Sequence, residues 1–240
     1  MYNKQKYLLL HKVKLNNLSG LLEESHAIIA GGAIRSVFAN EPISDYDIYF
    51  KTQENLNLFL EKIISEEFGF KSIFITDTAK TYTKNNLVLQ AILLPGMICS
   101  NPRDIIDQFD YTICMGLFDF DTDLFILNER FLEDIARREL HYNVFGKYPL
   151  SSLFRLKKYL KKGYVISGSE IIKLGLSINN LRMENYIDLK AQLQGIDTLF
   201  LKDLTDTLLS PEYADKKYDF MVFMNLINEY FDNKLEEIME

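Results

Sequence analysis

The chain has 240 residues, 48% of them hydrophobic and 25% charged, a composition typical of a globular protein with one large core or two modest ones. A formal net charge of −7 argues against a general nucleic-acid coat, because phosphate neutralisation needs clustered lysine and arginine. No apolar run approaches the ~20 residues of a membrane helix, and the N-terminal apolar stretch is too short for a signal peptide. Cys99 and Cys114 are too few to indicate an oxidising compartment, so we expect a cytoplasmic protein that does not contact a membrane.

Apolar periodicity and turn residues predict an α+β protein whose strands and helices alternate over the first ~140 residues. We predict strands at 26–30, 46–50, 71–77, 86–94, 111–118 and 123–127, the third and fourth forming a hairpin. Helices are predicted at 33–38, 53–67, 101–109 and 129–140. Past residue 149 strand signals disappear, and further helices are predicted at 150–162, 168–181, 184–193, 197–209 and 217–239. The predicted fold is a mixed sheet with flanking helices (residues 1–145) followed by an all-helical domain (residues 146–240).

The segment from Ala30 to Phe50, AGGAIRSVFANEPISDYDIYF, combines a glycine pair after one strand with two aspartates at the next. Gly31 and Gly32 allow the backbone to approach a phosphate closely, and the helix that follows offers N–H groups to an anion. Asp45 and Asp47 are two residues apart on a strand, so both carboxylates project from one face and can bind a divalent metal. The alternative is a Gly-Gly turn followed by a solvated acidic turn.

This arrangement resembles the signature of the DNA polymerase β-like nucleotidyltransferase superfamily, in which Gly-Gly or Gly-Ser precedes an Asp-x-Asp strand. Twelve residues separate Gly32 from Asp45, and the order and spacing of the two motifs carry the resemblance. The resemblance implies that fold, a catalytic and metal-binding role for Asp45 and Asp47 with Mg²⁺ or Mn²⁺, and nucleotide binding by Gly31 and Gly32.

The chain further resembles the head and neck of bacterial CCA-adding enzymes and poly(A) polymerases within that superfamily. GGAIR at residues 31–35 is similar to their GG-x-V-R-D opening, with Arg35 in the Arg position. FDYTICMGLFD at residues 109–119 is similar to their R-R-D-F-T-I-N-A segment, with Asp110 in the Asp position. The resemblance implies nucleotide binding by Arg35 and a catalytic or ribose contact for Asp110. The structural alternatives are a surface salt bridge for Arg35 and a strand-edge cap for Asp110.

Two later segments resemble the same branch less closely. RFLEDIARREL is similar to its Gly-Gly-x-x-Asp-Leu stretch at Asp134, and YPLSSLFRLKKYLKKGY is similar to its D-P-L-R-x-L-R helix. In CCA-adding enzymes an Asp and an Arg on that helix select the incoming base, but Tyr148 and Ser151 occupy these positions here. Neither side chain supplies a carboxylate or a bidentate guanidinium, so we do not expect base selection of the CCA type.

A basic run on the same predicted helix is a second candidate for nucleotide binding. RLKKYLKK at residues 155–162 has five basic residues in eight positions of an acidic chain. Arg155 and Lys158 are the candidates for contacts with nucleotide phosphates or an RNA backbone. The alternative is a solvated helix face with three apolar residues buried behind it: Leu156, Tyr159 and Leu160.

A third catalytic acid, which superfamily members often place on the strand after the metal pair, is not evident. The strand that we align, LVLQAILL, carries Gln90, and an amide cannot take a proton from an acceptor hydroxyl. Asp110 could substitute if its strand is adjacent, and Asp77 and Asp119 are further candidates.

The sequence therefore predicts a metal-dependent nucleotidyltransferase that moves NMP from an NTP to an acceptor hydroxyl, with an RNA 3′ end, especially that of tRNA, as acceptor. One alternative is a toxin-like or phage-encoded enzyme that nucleotidylates a protein or a small molecule. Loss of the third acid would instead give a non-catalytic nucleotide-binding protein. The choice of NTP and the oligomeric state stay open.

Overall fold

The computed structural model describes residues 2–193, 210, 213 and 216–232. The helix predicted at 197–209 lies outside the described residues, as does the end of the helix predicted at 217–239. Proximity of Cα atoms divides the chain into two compact units, one of residues 1–146 and 163–170 and the other of residues 147–162 and 171–240. The domain boundary expected after residue 145 stays a prediction.

The first unit contains a sheet and the helices that flank it. Its strands are β1 (Ala27–Ala30), β2 (Tyr46–Phe50), β3 (Lys71–Ile75), β4 (Ala79–Lys84), β5 (Leu87–Ile92), β6 (Gly116–Asp119), β7 (Leu124–Leu127), β8 (Glu139–Leu140) and β9 (Val165–Ile166). Its helices are α1 (Asn3–Leu15), α2 (Ser19–Glu24), α3 (Gly32–Phe38), α4 (Gln53–Ile63), α5 (Arg103–Ile106) and α6 (Phe131–Arg137), with 3-10 turns at Pro95–Met97 and Thr112–Cys114. The remaining described helices are α7 (Pro149–Lys161), α8 (Gly168–Asn179), α9 (Tyr186–Gln192) and α10 (Phe220–Asp232).

The seven-stranded sheet has the order β3-β4-β5-β2-β1-β6-β7. β2 and β5 are parallel and the other neighbours are antiparallel, so the sheet is mixed, as predicted. All four residues of β1 are fully buried, because this strand lies inside the sheet, between β2 and β6, with a covered face on each side. Phe50 of β2 packs on Phe59 of α4 with a centroid separation of 5.2 Å, and Ile105 and Ile106 of α5 join the core on the other face.

The predicted hairpin of strands 71–77 and 86–94 is wrong. β4 lies between them and pairs with both, so the three strands form a meander. Its sequence, AKTYTK, has little hydrophobic signal, yet Thr81 and Tyr82 are buried, and Tyr82 packs edge-on against Phe59 of α4.

The predicted strand at 111–118 is also shorter than expected, since residues 112–114 form a 3-10 turn and only 116–119 are extended. Thr112 donates a side-chain hydrogen bond to the buried Asp134, which holds this β-prone segment in a turn. The helix predicted at 101–109 contracts to α5. The helix predicted at 129–140 is shorter in the structure: α6 ends at Arg137, because Arg138 adopts a left-handed φ of 55°. The strand after it, β8, pairs in parallel with β9, so strands do occur past residue 149.

The second unit contains a small apolar core formed by helices α7, α9 and α10. Its buried members are Tyr186, Leu189, Leu193 and Phe223, and Leu150 and Phe154 of α7 pack against them. Ser151 is fully buried and donates its hydroxyl hydrogen bond to the Gln192 carbonyl at 2.8 Å. Leu156 and Tyr159 are buried as predicted, but Leu160 is 46% exposed, contrary to the prediction. Among the described residues no helix has the length and apolar character needed to cross a membrane.

Candidate active site

The two aspartates of the Asp-x-Asp motif lie at the start of β2. Tyr46, between them, is buried, and its hydroxyl donates to the Leu9 carbonyl at 3.1 Å on the α1 side of the sheet. Burial raises the pKa of the Tyr46 phenol to about 12, so this residue stays neutral at physiological pH. Because side chains alternate along a strand, Asp47 projects from the opposite face; Asp45 immediately precedes the strand, and both aspartates are half-buried.

Gly31 provides the turn that brings the glycine pair beside these carboxylates. Its backbone has φ 74° and ψ −125°, a conformation open to glycine but strained for an L residue. A Cβ at Gly31 would lie 3.9 Å from Asp47 Oδ2 and 3.5 Å from Cε2 of Phe109. The structure therefore brings together Gly31 and Asp47, as the sequence predicted, and adds Phe109, which sequence reasoning did not assign to the site.

The Gly31 amide is not free to meet a phosphate. It donates to the Gly116 carbonyl of β6 at 3.0 Å, and the Gly31 carbonyl accepts from the Arg35 amide at 3.1 Å. These bonds favour a conformational contribution from Gly31, while nucleotide binding by Gly31 and Gly32 stays a prediction. The first amides of α3, from Gly32 onward, point along the helix axis without an acceptor in the preceding turn, as in any helix. These amides directly follow Gly31, which lies beside Asp47, so they are the backbone donors available to an anion there.

Gln90 lies directly beside Asp47 in the sheet. β2 and β5 are parallel, with Asp47 in register with Gln90, and Gln90 is in register with Thr81 of β4. On its other side Asp47 is in register with Ala30 of β1. The row that crosses the sheet at Asp47 therefore carries one carboxylate, and the position expected for a third acid holds a neutral amide.

Asp110 does not lie on a strand, and the strand predicted directly after it, at 111–118, begins only at Gly116. It is buried in the bend before the 3-10 turn that leads to β6, and β6 lies on the far side of β1 from β2. The reason is Asn143, which fixes this bend: its Nδ2 donates to the carbonyls of Asp107 and Phe109, both at 2.8 Å, and its amide donates to the Asp110 carbonyl at 2.7 Å. Asn143 gives no recognisable signal in the sequence. The catalytic role of Asp110 stays a prediction.

The two other acids considered for the third position lie at the opposite end of the sheet from Asp47. Asp77 is in the turn between β3 and β4, next to the end of β5. Asp119 ends β6, where its carboxylate pairs with Lys51 Nζ at 3.0 Å. Neither position suits a base for a reaction beside Asp47.

Arg35 is a buried residue of α3 rather than a surface one. Its side chain is 4% exposed, Nη1 lies 2.8 Å from Glu41 Oε2, and Nη2 donates to the Ser36 hydroxyl at 3.1 Å. Burial raises the pKa of the nearby Tyr164 phenol, and a hydrogen bond with Arg35 opposes that shift. These contacts hold the loop after α3, so they favour a structural role, while nucleotide binding by Arg35 stays a prediction.

Arg155 and Lys158 belong to α7 in the second unit. Arg155 is half-buried, and Lys158 is exposed. Their predicted contact with nucleotide phosphates stays a prediction. Ser151 of the same helix is buried with its hydroxyl bonded to the Gln192 carbonyl, and the absence of base selection of the CCA type stays a prediction.

A second cluster of possible metal ligands consists of Asp134, Glu139 and His141, whose ligand atoms lie within 4.8 Å of one another. Arg130 occupies the same place: its Nη2 lies 3.2 Å from Asp134 Oδ1 and 3.0 Å from His141 Nε2. A guanidinium already balances the buried Asp134 carboxylate. The Asp45 and Asp47 pair, beside a glycine turn, therefore suits Mg²⁺ or Mn²⁺ better, because these ions prefer a few carboxylates with phosphate oxygens.

The sequence of the chain matches one described family. A family model with the description "Gabija anti-defense 2 family protein" matches residues 1–138. A relative from Bacillus phage SPbetaL7, named "Gabija anti-defense 2", is 35% identical over 230 residues, covering 91% of this chain and 56% of the relative. The chain thus spans just over half the length of that relative.

Solved structures that resemble the chain in fold include enzymes of tRNA processing. A tRNA-processing enzyme in an apo form has a TM-score of 0.54 at 13% identity, covering 95% of this chain and 66% of that one. A CCA-adding enzyme in complex with ATP has a TM-score of 0.54 at 16% identity, covering 81% of this chain and 50% of that one. The Thermotoga maritima CCA-adding enzyme complexed with tRNA has a TM-score of 0.54 at 14% identity, covering 86% of this chain and 55% of that one. Identities this low show the fold alone, and they confirm the polymerase β-like fold and the resemblance to CCA-adding enzymes.

Proposed function

The chain belongs to the Gabija anti-defense 2 family, and we propose that it acts as a metal-dependent nucleotidyltransferase against a component of the host defence. The observation that carries the proposal is the placement of Asp47 beside the Gly31 turn, with Asp45 immediately before the same strand. A solvated acidic turn would need neither a glycine in a conformation closed to L residues next to a carboxylate nor a half-buried position for both aspartates.

The residues of the site supply the chemistry of phosphoryl transfer mainly through charge and position. Asp45 and Asp47 would hold Mg²⁺ or Mn²⁺, which neutralises charge on the triphosphate when it is bound. The first amides of α3, beginning at Gly32, offer hydrogen bonds to phosphate oxygens, and Gly31 leaves room for that approach. The acceptor oxygen forms a bond to the α-phosphorus, the bond to pyrophosphate breaks, and the acceptor proton passes to solvent.

The acceptor that we propose is a protein hydroxyl of the defence machinery rather than a tRNA 3′ end. The name and phage origin of the relative support a host defence target. Ser151 and Tyr148 replace the base-selecting pair of CCA-adding enzymes, and Ser151 is fully buried. The net charge of −7 also disfavours a tight electrostatic contact with RNA. An RNA acceptor, the expectation from the motifs, remains an outcome of the experiment.

The test is transfer of label from each α-³²P-labelled NTP, with Mg²⁺ or Mn²⁺, in lysates of cells that carry the Gabija defence. The control is the Asp45→Asn/Asp47→Asn variant, which keeps side-chain size and removes both charges. We expect label that resists ribonuclease, is lost to protease, and is absent with the variant. Label lost to ribonuclease would reassign the acceptor to RNA, and equal label with the variant would refute the site.

A second candidate, a non-catalytic nucleotide-binding protein, is favoured by one observation: Gln90 is in register with Asp47. In that case the same assay gives no label, while calorimetry gives NTP binding that depends on metal and on Asp45 and Asp47.

A further inference from the structure

The row of residues across the sheet at Asp47 is short of negative charge. From β6 to β3 the row reads Leu117, Ala30, Asp47, Gln90, Thr81 and Phe74. Asp45, immediately before β2 and two residues before Asp47, is the other carboxylate of the motif. The described residues of the row thus place a neutral amide on one flank of Asp47 and a methyl group on the other.

The two carboxylates of the protein balance the charge of one divalent cation but not of two. One Mg²⁺ or Mn²⁺ held by Asp45, Asp47 and triphosphate oxygens has hard anionic ligands and can keep its remaining waters. A second cation, about 3.5–4 Å from the first in two-metal sites, would need a further anionic ligand on the flank of Asp47. Gln90 offers only an amide dipole there, which does not offset the repulsion between two dications.

Asp110 does not supply that missing ligand on the Gln90 flank. It lies in the bend before β6, and its neighbour Phe109 packs beside Gly31 at the end of β1, whereas β5 with Gln90 is on the opposite side of β2. On β4, the residue in register with Gln90 is Thr81, which is polar but carries no charge.

Resting on the proposed function, we propose that this site binds one divalent cation per nucleoside triphosphate, and that Gln90 is the residue that excludes a second. The amide side chain is nearly isosteric with glutamate, so Gln90→Glu introduces the missing charge with little change of shape. The variant should therefore convert a one-cation site into a two-cation site.

The experiment counts bound Mn²⁺ by the loss of the free-ion electron paramagnetic resonance signal, using the full chain and a non-hydrolysable α,β-methylene ATP. The matched control is Gln53→Glu, which adds the same charge at an exposed position of α4. We expect one Mn²⁺ per bound analogue for the wild type and for Gln53→Glu, and two for Gln90→Glu.

The outcomes separate the inference from the proposed function. Two Mn²⁺ per analogue in the wild type would overturn the inference and leave the transferase proposal standing. One Mn²⁺ in a folded Gln90→Glu variant would show that Gln90 is not the excluding residue. If the wild type binds no Mn²⁺ with the analogue, the proposed nucleotide site itself is refuted, and the inference falls with it. The wild-type count does not depend on how well any variant folds.

Discussion

Gly31 and Gly32 are adjacent in the sequence, but the structure predicts opposite effects when each is replaced by alanine. Gly31 has φ 74° and ψ −125°, and an L residue held in such a region costs about 1–3 kcal/mol. Its Cβ would approach Phe109 at 3.5 Å and Asp47 at 3.9 Å, which are ordinary contacts, so backbone strain dominates the cost. For a chain of this length the loss lowers the melting temperature by about 2–12 °C.

Gly32→Ala is the control for this prediction. Gly32 is the first residue of α3, and a Cβ there would meet nothing within 4 Å. Alanine is favoured over glycine in helices by up to ~1 kcal/mol, so the variant should match the wild type or exceed it. Thermal unfolding followed by circular dichroism measures both. A Gly31→Ala protein as stable as Gly32→Ala would refute the strained turn on which the site is built.

Three further changes test other parts of the first unit. Gly116→Ala should cost about 1–3 kcal/mol in urea unfolding, because its Cβ would lie 2.8 Å from the fully buried Phe131 ring; an unchanged midpoint would contradict this packing. Asn143→Ala should cost about 1–3 kcal/mol through loss of its side-chain hydrogen bonds to the loop at Phe109, and faster amide exchange in residues 107–110 should accompany it. Asp121 is partly buried, which raises its pKa, but hydrogen bonds and charge from Lys51 and His26 lower that pKa overall. Its stabilising contribution is therefore present above the ordinary aspartate pKa and is lost as the pH falls through the lowered value. Lys51→Met should flatten the fall in melting temperature below about pH 4, whereas an unchanged profile would show that this ion pair does not contribute.

The sequence was sufficient to predict β2, the Gly31 turn and the order of the motifs. β2 was predictable because its apolar residues alternate with the aspartates and are buried on one face, with Ile48 and Phe50 fully covered. The glycine pair was informative because only a backbone constraint or a close approach makes glycine necessary at the end of a buried strand.

Other elements depend on tertiary contacts that no local pattern reveals. The strand AKTYTK is polar, and pairing with β3 and β5 determines its conformation. Helix α1 was not predicted because only Leu9, Leu10 and Val13 are buried along its 13 residues, which leaves a weak apolar stripe. The turn at residues 112–114 is held by Asp134, which is more than twenty residues away in the chain.

The position of Asp110 shows the same limit at the site itself. A strand was expected from the apolar residues that follow it, but the hydrogen bonds of Asn143 to the carbonyls around Phe109 impose a bend. A single asparagine in a loop carries no sequence signal for such a role, because its function depends on which carbonyls the fold brings within reach.

The most direct test of the whole account is whether anti-defence activity needs the two carboxylates of β2. Bacteria that carry the Gabija defence would express the wild type, Asp45→Asn/Asp47→Asn or Gln53→Glu during infection by a phage that this defence restricts. Protein amounts and melting temperatures of the three should match. We predict that the wild type and Gln53→Glu restore plaque formation and that the double variant does not. Restoration by the double variant would contradict the account, and it would show that the protein counters the defence by binding alone, without the Asp45 and Asp47 site.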